Sequence, residues 1–403
     1  MTPVTKPYRT MVRLFAVLGA LAAIDAALAS VGVTSFLMGL RWLRVHLVTI
    51  GIVAEAAFGL LPGLVALRAG RPAPPPRNDR WLLLNVGLVT LLVGIPLVRA
   101  PMIGVGGTLV LLAAAWLAWD LWRIVPDASD ATANGMGGRP FYLAALSFVV
   151  VGALVGTGLW LGWGPWLRIA VPKETHVHAV VWGFASFVLA GLLTDLQPPL
   201  TGRAATRPRW LMVAFWLQLA GALALLAAPW MGDANGLMIG GIVLFAFATA
   251  LLYAQRILPM RAHGGPGAAH VLTAYIWILV PATALPFILL GSGTLPVARV
   301  ESVGPAILAY GWLLQTLIAL LPPAFARVEQ ADASSADRLA LGGRWSSWIG
   351  LNLCTLALVA SIALPALEAR LQAVAFGLLA VVLLGWAWDL TRTQFRAERT
   401  VVD

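Results

Sequence analysis

Apolar residues fall in runs of about twenty, separated by short stretches of Arg, Pro, Gly and Asp. Twelve such runs occupy 11–33, 45–67, 81–98, 101–122, 141–162, 177–197, 210–229, 236–255, 269–291, 304–326, 346–365 and 369–390. A helix needs about 20 apolar residues to cross a bilayer, so each run predicts one transmembrane helix. The longer connections, 68–80, 126–139 and 327–344, are rich in Pro, Gly, Ala, Asp and Arg and could not bury a core of their own. The pattern predicts an all-α integral membrane protein, with residues 1–403 forming a single membrane domain. The first run is too long and too weakly punctuated for a cleaved signal peptide, and it reads as a span.

The runs repeat. Span two has Gly51 and then Gly59, span six Gly183 and Gly191, span ten Gly311 and Ala319, each pair eight residues apart. Arg-Trp opens spans three, seven and eleven, at Arg80-Trp81, Arg209-Trp210 and Arg344-Trp345. Spans four and twelve close on Trp119-Asp120 and Trp388-Asp389. These coincidences predict three four-helix repeats, 1–139, 140–262 and 263–403. Four spans restore the orientation, so all three repeats run the same way. A pseudo-threefold rotation about the membrane normal is the simplest assembly.

Charge sets the expected orientation. Of the 27 Lys and Arg, 20 fall on one set of connections and seven on the other. The excess places both termini in the cytoplasm of a multi-pass cytoplasmic-membrane protein. It also explains a formal net charge of +10, which in a soluble protein would suggest nucleic acid. With 60% hydrophobic and 11% charged residues, against about 25% charged in soluble domains, the partner is the lipid bilayer and no nucleic acid. The lone Cys354 lies in an apolar run, which excludes a disulfide framework or thiolate cluster. The 18 Trp cluster at span ends, as an aromatic belt does.

Against this background the histidines stand out. His46 lies five residues before Gly51, and His178 five before Gly183, with His176 two residues further out. Imidazole is costly in hydrocarbon without a partner, and it ligates haem iron, copper and zinc. A single His at a helix mouth is usually an interfacial side chain. The third repeat has Ala306 at the matching position, so packing alone does not demand His there. His46 and His178 are the expected ligand pair, with His176 as a second ligand or a close neighbour. His263 and His270 fall at the opposite membrane face.

Two carboxyl groups lie within spans. Glu55 follows His46 by nine residues, about 13 Å along a helix, and suits a proton-relay or supporting role. Asp25, among small residues of span one, fits a neutral hydrogen-bonded group or a place in a solute path. Asp120 and Asp389 each precede an Arg by three residues, which predicts ion pairs within one helix.

The topology resembles subunit I of the haem–copper oxidases. There, outer-side His on helices two, six and ten hold the low-spin haem, the copper and both haems respectively. His46 and His178 match spans two and six. Span ten offers Tyr310 near the expected place, and span seven has no His pair. The local sequence is similar to NnrS-type haem- and copper-containing membrane proteins, which are linked to nitrosative stress. Their His-x-His-x4-Gly-Phe pattern matches His176, His178, Gly183 and Phe184. It continues through Ala190, Gly191, Leu192, Leu193, Thr194, Pro198, Thr201, Gly202 and Arg203, with Ala179 where a Glu normally follows the second His.

The resemblance implies haem b and/or copper as cofactors, used in electron transfer or the handling of nitric oxide or another small gas. A redox partner or a second membrane subunit would complete it. Whether such a redox protein is an enzyme stays open. Complete oxygen reduction needs at least six outer-side His, and this chain has three. Two other readings remain: a small-solute transporter or channel built on Glu55 and Asp25, and a structural or assembly subunit.

Overall fold

A computed structural model describes residues 5–33, 41–124, 137–202, 208–232, 236–291, 297–329 and 340–399. The described residues form twelve helices. They are α1 (Lys6–Ser30), α2 (Trp42–Arg68), α3 (Asn78–Gly94), α4 (Ala100–Arg123), α5 (Arg139–Leu161) and α6 (Pro172–Thr201). They continue as α7 (Arg209–Met231), α8 (Gly236–Ala262), α9 (Gly265–Gly291), α10 (Ser302–Glu329), α11 (Trp345–Ala363) and α12 (Pro365–Arg392).

Eleven of these are long and apolar enough to cross a membrane; α3, with 17 residues, falls short of the span expected over 81–98. The reason is local. Pro96 lacks an N–H and disfavours helix in the residue before it. The chain turns through Val98 at φ 51° and re-enters helix at Ala100.

Burial separates the helices into two classes. In α2 and α6, 83% of the apolar window is buried, and in α10, 78%; the other eight spans range from 33% to 44%. α2, α6 and α10 are therefore the innermost helices. They touch one another at the centre, while α1 packs on α12, α3 on α4, α4 on α5, α7 on α8, α8 on α9 and α11 on α12 around them.

Each inner helix contains a π-helical segment, at Leu47–Ala54, Ala179–Ala185 and Leu308–Leu314. A π segment widens the turn and is uncommon outside functional sites. Each contains the glycine noted in the sequence. A Cβ on Gly51 would meet the Phe15 ring of α1, and one on Gly183 the Phe148 ring of α5. Eight residues on, Gly59 and Gly191 do the same against Tyr8 and Tyr142. The glycines let α1 and α5 lie directly on the inner helices.

The carboxylates at the arginine end pair between helices. Arg80 of α3 donates to Asp120 of α4 at 2.5 Å, and Arg344 of α11 pairs with Asp389 of α12. This corrects the intrahelical pairs expected from i, i+3 spacing. The Arg that opens one helix instead holds the Asp that closes its hairpin partner. Asp195 of α6 accepts from the Gly138 amide and the Tyr142 hydroxyl, both at 2.8 Å, with Arg68 of α2 at 3.8 Å.

Candidate metal site at the histidine end

His46 occupies the last α-helical turn before the π segment of α2, and His176 and His178 the matching turn of α6. Residues two apart on a helix project about 200° from each other, so His176 and His178 cannot face one partner. The structure turns His176 toward α2. Its ring lies parallel to that of His46, with centroids 6.0 Å apart and planes 6° from parallel. His178 turns toward α7, where its Nδ1 bonds the Leu225 carbonyl at 2.5 Å. The neighbour of His46 is thus His176, and the expected pairing of His46 with His178 is replaced.

Both facing rings are anchored through Nδ1. His46 Nδ1 meets the Trp42 carbonyl at 2.7 Å, and His176 Nδ1 meets the Gly152 carbonyl of α5 at 2.8 Å. A carbonyl accepts only, so Nδ1 carries the hydrogen and each Nε2 keeps its lone pair. This is the outer-shell arrangement that fixes tautomer and ring plane in metal-binding histidines.

Two further features hold the pair. Trp42 stacks on His46, with centroids 4.5 Å apart and planes 25° from parallel. A Cβ on Gly156 would lie 2.6 Å from His176 Cε1 and Nδ1, so only glycine leaves room for the ring. Gly152 and Gly156 form a small-xxx-small groove on α5. That spacing was visible in the sequence, as was Trp42 four residues before His46, but nothing in the sequence tied either to a histidine.

The donor set limits what can be held. The structure brings two imidazole donors, one from each of two inner helices, to a ring-centroid separation of 6.0 Å. Among the described residues, no group of three or more His, Cys, Asp or Glu could hold a metal. Two imidazoles do not complete a tetrahedral zinc site. They do suit the axial positions of haem iron, whose macrocycle brings its own four nitrogens, or a low-coordinate copper.

The remaining expected residues lie elsewhere. Tyr310, 1% exposed, lines a cavity of about 50 Å³ with Arg44, Val45, Ser302, Gln372 and Phe376. Asp25 is half-buried on α1, five residues before its Ser30 end. His270 is fully buried near the start of α9, with Nε2 2.9 Å from Ser347 Oγ of α11, and His263 closes the turn before α9. Glu55 is fully buried immediately after the π segment of α2. No protein-family model matches this chain, and no curated protein matches it.

Proposed function

We propose that this protein carries haem b or copper between His46 and His176 and serves electron transfer or the handling of a small gas such as nitric oxide. One observation carries the reading. Two parallel imidazoles from separate inner helices lie next to each other with centroids 6.0 Å apart, each with Nδ1 held by a main-chain carbonyl. When bound, the metal supplies a one-electron couple or a site for a diatomic ligand. The chain's own groups fix the ligands in advance: the carbonyls of Trp42 and Gly152 set the tautomer, and Trp42 and Gly156 set the ring positions. His178, directed to α7, is a supporting residue in this reading.

The architecture proposed with it is three four-helix arcs related by a pseudo-threefold axis, with resemblance to the haem–copper oxidase superfamily and NnrS-type proteins. Its support is the threefold recurrence of a π segment on an inner helix, and the twofold recurrence of the Gly–aromatic and Arg–Asp contacts. The histidine end is proposed to face outward and the arginine end the cytoplasm, following the Lys and Arg excess. Three outer-side imidazoles do not furnish a second haem and a copper centre, so complete oxygen reduction is not proposed.

The test is an absorption spectrum with iron and copper assays on protein purified after expression with haem and copper supplements. A haem spectrum or stoichiometric copper is expected, declining on acidification because both ligands must be unprotonated to bind. Protein that holds neither would overturn the reading.

A further inference from the structure

On each inner helix the π segment is closed by a buried polar residue: Glu55 on α2, Ser186 on α6 and Gln315 on α10. Ser186 donates to the Trp182 carbonyl and accepts from Gln218 Nε2 at 3.0 Å. Gln315 donates to the Gly311 carbonyl at 2.8 Å, and its Oε1 accepts from Thr273 at 3.1 Å and Asn352 at 3.3 Å. Neither oxygen of Glu55 meets a partner in good hydrogen-bond geometry, and only the Asn85 side chain lies within its reach. The one ionisable member of the three is the one least satisfied.

Its surroundings share the deficit. Asn85 of α3 is the side chain that approaches Glu55; one of its two amide hydrogens goes to the Trp81 carbonyl at 2.9 Å, which leaves the other for Glu55, and its Oδ1 is unpartnered. Tyr8 of α1 lies near Glu55 and within reach of the Arg80 guanidinium, and its hydroxyl makes no hydrogen bond in good geometry. Trp81 Nε1 and Arg80 Nε are buried without partners as well. Donors and acceptors from three helices are thus orphaned around one carboxyl. Buried groups in that state are ordinarily bridged by water. The cluster runs toward the arginine end, where Arg80 holds Asp120, a side chain 25% exposed.

We propose that Glu55 is a proton-exchange site, whose carboxyl gains and gives up a proton through water held among Tyr8, Trp81 and Asn85. This water reaches the aqueous phase at the Arg80–Asp120 end. In the step an O–H bond of the carboxyl breaks as one to water forms, and the reverse restores it; no electrons move and no other reactant enters. The titratable group facing Glu55 is Tyr8 from α1; Arg80 of α3 lies on the far side, beside Tyr8, with Asp120 of α4 behind Arg80. On α2 itself, His46 stands about 13 Å away and Arg68 about 20 Å. An unpartnered carboxylate is untenable in such a site, so the resting group holds its proton. None of this depends on what the His46–His176 pair binds.

Infrared difference spectroscopy on proteoliposomes tests it directly. The wild type should show a carboxylic-acid C=O band that Glu55→Gln deletes and Glu55→Asp moves. That band should shift within minutes of transfer to D2O, and Asn85→Leu should keep the band but slow its shift at least tenfold. Identical wild-type and Glu55→Gln spectra, or a Glu55 band unmoved after hours in D2O, would overturn the proposal. Unchanged exchange in Asn85→Leu would overturn the route.

Discussion

The inner helices α2 and α10 are built alike and finished differently. Both are among the three most buried spans, both carry a π segment, and both close it with a buried polar side chain. On α10 that side chain, Gln315, joins Thr273, Asn352, Trp277 and Trp348 in one network: Trp348 Nε1 donates to Thr273 at 2.9 Å and Trp277 Nε1 to Asn352 at 2.8 Å. On α2 it is Glu55, which only Asn85 approaches and whose oxygens make no well-formed hydrogen bond. The outer turns differ in the same sense, with His46 facing His176 on α2 and the non-ligating Ala306 on α10. A satisfied polar network fixes one packing of helices. An orphaned ionisable group on the same scaffold marks where chemistry has displaced packing. We therefore read α10 as the frame and α2 as the working helix.

That contrast can be broken by substitution, most severely at the ligands. His46→Ala should lower bound haem or copper on the order of tenfold or more, judged against the 10–100-fold loss typical of disturbing outer-shell partners alone. Ala306→Val on α10 should leave metal content unchanged. Metal analysis of the purified variants separates the two outcomes, and equal loss in both would show that packing, not ligation, was disturbed.

Next in size is Gly156→Val. The added side chain collides with His176, and overpacking costs about 1–3 kcal/mol. Metal content should fall about tenfold even in molecules that remain folded, as size-exclusion chromatography with metal analysis would show.

Polar substitutions sharpen the comparison of the two π-segment caps. Gln315→Leu removes the acceptor of one Asn352 amide hydrogen and the donor to the Gly311 carbonyl, and should destabilise by about 1–3 kcal/mol. Glu55→Gln breaks no bond and should change stability by less than about 1 kcal/mol. Denaturant unfolding in detergent measures both. A larger loss from Glu55→Gln than from Gln315→Leu would reverse the assignment of frame and working helix.

The smallest contrast lies at the arginine end. Arg80 is 4% exposed and Arg344 is 55% exposed, so only the first pair is sheltered from solvent. Asp389→Asn should cost less than about 1 kcal/mol, as surface pairs do, and Asp120→Asn visibly more in the same unfolding assay.

Much of the architecture was legible in the apolar runs, because a bilayer imposes one length on every span. Spans two, six and ten declared themselves by Gly and Ala spaced eight apart, since an inner helix must admit close neighbours. The failures have local causes. Pro96 shortened the third span, which hydropathy alone does not register. Asp120 and Asp389 found arginines on adjacent helices, because a hairpin brings Arg80 and Arg344 closer than spacing within one helix suggests. The site was half legible. His46 and His176 were both singled out, but the rotation of α6 that points His176 inward and His178 to Leu225 depends on packing against α5 and α7. Gly152 and Gly156, which create the space, carry no chemical signal. The surroundings of Glu55 were hidden as well, since only the fold shows that Asn85 is the side chain that reaches it and that one of its two amide hydrogens goes to Trp81.

The central claim is that His176, not His178, shares a metal with His46. Iron and copper content, with absorption spectra, should be measured on the wild type, His176→Ala and His178→Ala purified in parallel. The account expects a stoichiometric metal in the wild type, near-complete loss in His176→Ala and retention of most of it in His178→Ala. Loss in His178→Ala with retention in His176→Ala would contradict it.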